Sequence, residues 1–459
     1  MKNAILIVLP LALCLGIAAG CTGKNSTSPQ AMKNSDVSAQ LKSFVAEKAA
    51  QAKVNSPDTP QEVKAFFAAA QQGDWIGVSN SFAAMRVHAP QYEHTGTNDM
   101  RLRGTPWQTV METWGTFDAV FEGGDKYAAL YADEIIKSIP PGSIYFGGTD
   151  PGRFLITGME KSQVNGDPFY TVTQNALADS TYLAYLRQMY GGRIYVPTDK
   201  DVQKCFVDYM ADAQKREQDG KLKPGEDVFT DADGKVQVSG EVSVMEINGL
   251  IAKVIFDQNS SQQFYVEESF PLDWMYPYLE PNGIIMKLNR QPLPELSDAI
   301  VQRDEDYWSG LMAPMIGDWL KPGTSLDDVT NFATKVYVNH DLSGFTGDED
   351  FVRDEFFQKA FSKERSAIAG LYAWRAGQAT DPAEKKRMED AADFAFRQAL
   401  VLCPYSPEVV FRYVNLLMSE GRRASALQLA ETAAQMPQLQ GKNGAAVRSL
   451  VKTLQRIRR

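Results

Sequence analysis

The sequence Phe146-Gly-Gly-Thr-Asp-Pro-Gly-Arg153 decides the predicted fold, because it continues a short β-branched and aromatic run, Ser143-Ile-Tyr-Phe146. A run of this kind is typical of a buried strand. The three glycines that follow permit a tight turn, and the residues from Arg153 to Lys161 have a helical pattern. The stretch therefore predicts a strand–turn–helix unit.

A second unit of the same kind follows directly, with a strand over 169–173, a polar turn over 174–179 and a helix over 180–190. Two such units in succession predict parallel strands, whose carboxyl ends are where open α/β sheets bind ligands. Further strands are predicted at 193–196, 263–266 and 284–288. We therefore expect an α/β domain over 139–290, with a small, largely parallel sheet built from Rossmann-like units.

The remainder of the chain is predicted to be helical. Residues 59–138 form a helical N-terminal region, 291–378 a helical connecting region, and 379–459 an all-α tail that resembles tetratricopeptide repeats. Small residues recur there at the spacing of paired helices, and Pro437 follows Pro404 after 33 residues. The residues with this spacing are Ala392, Phe396, Ala399, Gly421, Ala426, Ala430 and Ala433.

Three local predictions concern the second half of the α/β region. Asp231-Ala-Asp-Gly234 is expected to turn a hairpin between 227–230 and 235–238. Residues 243–257 are expected to form a helix that begins with a Ser243/Glu246 capping box. Residues 271–279 are expected to form a short aromatic helix, followed by a turn at Pro281-Asn-Gly283.

The first twenty residues have the pattern of a signal peptide. Lys2 precedes an apolar stretch that ends in Ala18-Ala-Gly20, directly before Cys21. This arrangement resembles a bacterial lipoprotein signal, which implies that Cys21 becomes lipidated. Cleavage by the ordinary signal peptidase is the alternative, because the same small residues suit it. Either way the protein is expected to be exported. We expect a periplasm-facing protein of the cell envelope, at the outer rather than the inner membrane and attached by lipid only. A flexible tether is expected over 21–58, within which residues 37–52 form either a helix or a continuation of the tether.

Composition excludes several classes of function. A net charge of −10 over 459 residues leaves no basic footprint for nucleic acid. The three histidines lie far apart, so no metal-ligand spacing appears, and no cofactor-binding motif is recognised. Cys205 and Cys403 are expected to be two buried thiols rather than a disulfide.

The predicted ligand site lies at the carboxyl ends of the first two strands. Backbone N–H groups at a helix start and an arginine could bind an anion such as a sugar phosphate. The candidate residues are Gly147, Gly148, Thr149, Asp150, Gly152, Arg153, Asn175 and Asp179. The alternative is structural, with Asp150 and Asp179 acting only as helix caps and the glycines serving only the turn.

Two other groups of residues also have both a functional and a structural interpretation. Glu267-Glu268, at the end of a strand, could supply an acid/base carboxylate, but solvated charges are the favoured interpretation. The aromatic residues Phe270, Trp274, Tyr276 and Tyr278 could stack on a sugar, although core packing is more usual at this density.

Several stretches resemble the soluble, extracytoplasmic part of bacterial protein O-mannosyltransferase-like membrane proteins. These stretches are Ile144–Phe154, Thr173–Asp179, Phe264–Phe270, Tyr276–Gly283 and Phe361–Gly370, together with the tetratricopeptide-like tail. In such proteins the sugar-transferring half is a bundle of transmembrane helices that carries the catalytic acidic residues. The resemblance therefore implies an accessory half without those catalytic residues.

Two functional hypotheses follow. The first is a non-catalytic envelope lipoprotein, a binding or scaffold module accessory to envelope protein glycosylation, which binds a protein partner through its helical tail. The second is a carbohydrate- or sugar-phosphate-binding protein, or an enzyme, that uses the crevice above the α/β strands. The absence of a complete catalytic set in the sequence favours the first, and no catalytic residue is assigned.

Overall fold

The computed structural model describes residues 35–89, 98–223, 225–230, 236–267 and 272–458. The predicted signal peptide, the lipidation site Cys21 and the predicted turn at Asp231–Gly234 lie outside these residues.

Helices dominate the described chain. Their bounds are α1 Ser35–Gln51, α2 Gln61–Gln72, α3 Trp75–Arg86, α4 Thr105–Gly123, α5 Asp125–Ser138, α6 Ile156–Met159, α7 Ser180–Tyr190, α8 Asp199–Gln218, α9 Glu241–Gln258, α10 Asp298–Ile316, α11 Leu326–Ala333, α12 Glu349–Arg353, α13 Glu355–Gln378, α14 Pro382–Leu402, α15 Pro407–Ser419, α16 Arg423–Ala434 and α17 Ala445–Arg458.

Five strands form a mixed sheet and two more form a hairpin. The strands are β1 Ile144–Gly147, β2 Tyr170–Thr173, β3 Asp227–Thr230, β4 Val236–Ser239, β5 Phe264–Glu267, β6 Leu279–Asn282 and β7 Ile285–Leu288. The sheet order is β2-β1-β5-β7-β6, and β3 pairs with β4 separately. β1 and β2 are parallel, with Ile144 opposite Tyr170, as the two strand–turn–helix units predict. An α/β part combined with helical parts is therefore confirmed.

The chain divides into two compact units. Among the described residues, the N-terminal unit contains those within 35–121 and 139–264, and the C-terminal unit contains those within 122–138 and 265–458. In the N-terminal unit Phe82 stacks on Trp114, with ring centroids 4.4 Å apart, and on Trp107 at 5.5 Å. In the C-terminal unit Phe361 packs edge-on against Tyr131 at 5.3 Å. These units interleave along the sequence.

The predicted strand at 193–196 is wrong. Both backbone polar groups of Tyr195 bond instead to the side-chain amide of Asn259. The Tyr195 N–H donates to Asn259 Oδ1 at 2.7 Å, and Asn259 Nδ2 donates to the Tyr195 carbonyl at 3.0 Å. An amide side chain can satisfy a backbone donor and acceptor together, so this segment needs no neighbouring strand.

The predicted helix at 271–279 and the turn after it also need correction, although Pro271 itself lies outside the described residues. Only Tyr276–Tyr278 forms a short 3₁₀ turn, and Leu279–Asn282 forms β6, antiparallel to β7. β6 is an edge strand of the sheet. Proline, which has no backbone N–H, is tolerated at Pro281 because one side of an edge strand has no neighbouring strand to bond. The antiparallel β6–β7 pair makes the sheet mixed rather than largely parallel.

The tether predicted over 21–58 is too long, because α1 occupies residues 35–51. Leu41 and Val45 on this helix are almost fully buried. An apolar face at helical spacing packs into the core, so the flexible segment cannot extend this far.

The predicted Ser243/Glu246 capping box is not formed, although the helix itself is. α9 begins two residues earlier, after Gly240, whose φ of 97° suits only glycine. Ser243 is buried inside the helix and accepts a hydrogen bond from the Tyr209 hydroxyl at 2.9 Å. Glu246 pairs with Lys223 at 2.5 Å.

In the C-terminal helical part, α14 ends at Leu402, two residues before Pro404, as the repeat pattern predicts. α13 packs on α14, α15 on α16, and α16 on α17. The assignment of these helices to the tetratricopeptide class remains a prediction. Cys205 and Cys403 are both buried and unbridged, which confirms the expectation for the thiols, although Cys403 lies just beyond α14.

Candidate functional site

The glycine-rich turn after β1 approaches the next turn too closely for a side chain. A Cβ added to Gly147 would lie 2.7 Å from the carbonyl oxygen of Gly152. That carbonyl accepts a hydrogen bond from the Tyr145 hydroxyl at 2.7 Å, and the Gly152 N–H donates to Thr149 Oγ1 at 3.1 Å. The capping role predicted for Asp150 therefore belongs to Thr149 instead.

Four predicted site residues converge at the carboxyl ends of β1 and β2. Arg153 Nη2 pairs with Asp150 Oδ1 at 2.6 Å, and Arg153 Nη1 lies 3.4 Å from Asn175 Oδ1. Asn175 Nδ2 donates to the Gly148 carbonyl at 3.1 Å. The Arg153 guanidinium also lies over the Phe154 ring, 4.2 Å from its centroid. An incoming anion would have to displace Asp150 before it could use this arginine.

Asp179 does not join this group. Its carboxylate accepts from the Thr181 N–H and from the Thr181 hydroxyl, both at 2.8 Å. It therefore caps α7, the structural alternative given above.

Glu267 is fully buried, which corrects the expectation of a solvated charge. The Tyr131 hydroxyl lies 3.4 Å from Glu267 Oε1 and donates to Glu364 Oε1 at 2.9 Å. The segments Phe264–Phe270 and Phe361–Gly370, both quoted for the resemblance, thus each contribute a carboxylate to one tyrosine. The sequence gives no signal for Tyr131, which contacts both only through long-range packing.

A buried ionic cluster joins α1 to α4 in the N-terminal unit. Lys48 Nζ lies 2.6 Å from Glu112 Oε2 and donates to the Tyr185 hydroxyl at 2.9 Å and to Gln163. Lys48 is completely buried. Nearby, burial raises the pKa of Glu160 well above its usual range, against an opposing hydrogen bond from Thr171. The sequence gives no signal for this cluster, because Glu112, Gln163 and Tyr185 reach Lys48 only through long-range packing.

A groove of about 490 Å³ lies in the C-terminal unit between one face of α10 and one face of α14. We call it the α10–α14 groove. From α10 it is lined by Asp298, Val301, Gln302 and Glu305, from α14 by Arg387, Asp390, Ala391, Asp393, Phe394 and Arg397, and at one side by Pro322. The α10 residues have the spacing i, i+3, i+4 and i+7, which places them on one helix face.

Buried apolar side chains and charged side chains both line the α10–α14 groove. Val301, Ala391 and Phe394 are each less than a tenth exposed. Arg387 pairs with Asp298 at 2.9 Å and with Glu384 at 2.7 Å. Arg397 pairs with Asp393 at 2.8 Å. Both arginines are therefore neutralised within the protein.

Glu305 is the exception in this wall. It is half-buried and forms neither a hydrogen bond nor an ion pair with any part of the chain that the structure describes. Burial raises its pKa, the neighbouring Asp304 and Asp306 carboxylates raise it further, and Arg365 opposes them. The run Asp304-Glu-Asp306 looks like a solvated face in the sequence, yet Asp304 is buried against Arg365 at 2.6 Å.

A second cavity, of about 510 Å³, lies in the N-terminal unit beside the start of α7. Its charged groups include Arg187 and Asp199, which pair with each other at 3.0 Å. Thr105 Oγ1 donates to Gln188 Oε1 at 2.9 Å across the same cavity. These four side chains satisfy one another, and Arg103, which also lines the cavity, is exposed to solvent.

The structure contains no group of three or more His, Cys, Asp or Glu side chains that could hold a metal ion, within the residues it describes. In those same ranges no helix combines the length and hydropathy needed to cross a bilayer. Comparison with protein-family models, with curated proteins and with solved structures gives no match to this chain.

Proposed function

We propose that this protein is a non-catalytic binding module of the bacterial cell envelope, attached by lipid at Cys21, that binds a protein partner in the α10–α14 groove. The observation that carries the proposal is Glu305, a half-buried carboxylate in a ligand-sized groove that has no partner among the residues the structure describes. Burying a charge without a partner costs free energy. A partner that pairs with Glu305 would remove that cost, and the free energy of binding would become more favourable.

The predicted turn supports a structural role more than a ligand site. Asp150, Arg153 and Asn175 bond to one another or to the backbone, and Asp179 caps a helix. The second candidate function, binding of a glycan or sugar phosphate there, is favoured only by the convergence of these side chains. A sugar phosphate that raises the melting temperature of the wild-type protein, but not that of the Asp150→Ala/Arg153→Ala double variant, would support this second function.

The resemblance to O-mannosyltransferase-like proteins extends the proposal to the type of partner. An accessory half without the catalytic helices would act by holding a component of an envelope glycosylation system. We include this role in the proposed function.

Site-specific photo-crosslinking in cells tests partner binding. A photoreactive amino acid replaces Gln302, which is exposed and lines the groove, and in a matched control it replaces the adjacent Arg303, which is exposed but does not line it. We expect a discrete protein adduct from position 302 and none from position 303. Absence of an adduct at position 302, or equal adducts at both positions, would contradict the proposal.

A further inference from the structure

The α10–α14 groove is lined by an acceptor and by a donor that have no hydrogen-bond partner among the described residues. One is the Glu305 carboxylate, an acceptor that is partly open to solvent. The other is Arg397 Nε, a donor in the groove wall that has no hydrogen-bond acceptor among the described residues. Arg397 is only 7% exposed, because its terminal nitrogens are held by Asp393 and by backbone carbonyls. A ligand that supplies a cation and an acceptor would satisfy both groups.

We infer that the groove receives a lysine side chain from an extended segment of the protein partner, with the ammonium group at Glu305 and a main-chain carbonyl toward Arg397. The inference rests on the proposed function and names the chemistry of its partner. The four-carbon stem of lysine would pack on the apolar lining residues Val301, Ala391 and Phe394, which would cover its methylene groups.

Charge complementarity favours a cationic over an anionic ligand. Four acidic and two basic side chains line the groove. Each arginine already has a carboxylate within 2.9 Å, so neither presents an uncompensated positive charge to the ligand. Glu305 is the one lining carboxylate, among the residues described, that has no cationic partner. An anion would meet this net negative wall and would be repelled.

The Arg397 Nε donor favours a lysine peptide over a free amine as the ligand of the groove. A simple diamine carries ammonium groups and a methylene chain but no acceptor for Arg397 Nε. A lysine residue within a peptide carries both the ammonium group and a carbonyl oxygen. The terminal nitrogens of Arg397 are already engaged by Asp393 and by backbone carbonyls, so Nε is the donor of this side chain that a peptide carbonyl would satisfy.

Binding of short peptides to the purified chain tests the inference. The probes are fluorescein-labelled pentapeptides that differ only at the central residue, which is lysine, acetyl-lysine or norleucine. Norleucine keeps the aliphatic stem, and acetylation removes the charge. Because a hydrogen bond to a charged group contributes more than a neutral one, we expect the lysine peptide to bind about 10-fold or more tightly than either analogue.

Glu305→Gln is the diagnostic variant and Glu295→Gln, an exposed residue outside the groove, is its matched control. We expect Glu305→Gln to weaken lysine-peptide binding about 10-fold and to abolish the preference over norleucine, whereas Glu295→Gln changes neither. The Gln variant should fold, because it removes a charge that has no partner. Circular dichroism checks this point.

Three results would overturn the inference: no binding of the lysine peptide to the wild-type protein, equal binding of the norleucine peptide, or equal competition by free cadaverine. If position 302 still yields a protein adduct in cells, the proposed function stands and only the lysine chemistry fails. If neither the adduct nor peptide binding is observed, both fail.

Discussion

At the scale of single residues, the burial of Lys48 is the feature that the local sequence least explains. A buried ammonium group is tolerated only when it is paired and hydrogen-bonded, and here Glu112, Tyr185 and Gln163 surround it. The cluster fixes α1, the first described helix, to residues more than sixty positions later in the chain. Replacing only one member of such a buried ion pair destabilises the protein, because the other charge remains buried without a partner.

We expect Lys48→Met to destabilise the protein by about 3–5 kcal/mol, because it leaves the Glu112 carboxylate buried without its cation. Lys42→Met is the matched control, since Lys42 lies exposed on the same helix and should change stability by less than about 0.5 kcal/mol. Urea denaturation followed by circular dichroism measures both. Equal unfolding midpoints for the two variants would show that the Lys48 cluster contributes nothing.

At the scale of secondary-structure elements, α13 begins at a half-buried capping carboxylate. Asp354 accepts a hydrogen bond from the Phe357 N–H at 2.9 Å. Burial raises the pKa of Asp354 to about 7, and the backbone hydrogen bonds from Phe357 and Phe356 only partly oppose this. The folded protein therefore retains this proton at pH values where the unfolded chain, with a pKa near 3.8, has lost it.

The sign of the pH dependence follows from linkage. Between about pH 4 and pH 7 the folded state binds more protons than the unfolded state at this residue, so its contribution to stability falls as pH rises, by at most about 1.4 kcal/mol per unit. Asp354→Asn keeps a good capping group but does not titrate. We expect the variant to gain stability relative to wild type across this interval and to keep the gain above it.

Urea denaturation at several pH values measures this gain, with Asp381→Asn, the exposed cap of α14, as the control for capping itself. A constant difference between wild type and Asp354→Asn from pH 4 to pH 8 would contradict the assigned titration.

The elements that sequence predicts well are those whose signals are local. α7 has the predicted bounds, because it begins at the capping residue Asp179 and continues with an amphipathic pattern. The convergence of Arg153 with Asn175 also follows from local signals, since parallel strands bring their carboxyl ends together.

The remaining elements depend on partners that are distant in sequence. The segment at 193–196 has a strand-like composition, but Asn259 satisfies the backbone of Tyr195. β6 contains a proline and reads as a turn, yet it is stabilised by β7 at the sheet edge. The unpaired state of Glu305 depends on how α10 and α14 pack. No local sequence pattern predicts that Glu305 is unpaired.

At the scale of the whole molecule, the two units interleave because α5 belongs to the C-terminal one. Tyr127 on α5 donates to Asp348 at 2.6 Å, and Tyr131 donates to Glu364 at 2.9 Å. Both partners lie more than two hundred residues later. Local composition predicts successive domains, whereas these long-range contacts assign a short central helix to the unit formed by the end of the chain.

The attachment of the whole molecule to the membrane is the last prediction. The apolar residues before Ala18-Ala-Gly20, followed at once by Cys21, predict a lipid on Cys21 as its anchor. We expect the wild-type protein to enter the detergent phase of a Triton X-114 extract and Cys21→Ser to remain in the aqueous phase. Cys14→Ser is the matched control, because Cys14 is expected to leave with the signal peptide and its loss should change nothing. Wild-type protein in the aqueous phase would instead favour ordinary signal cleavage. Detergent-phase Cys21→Ser would place the anchor elsewhere in the chain.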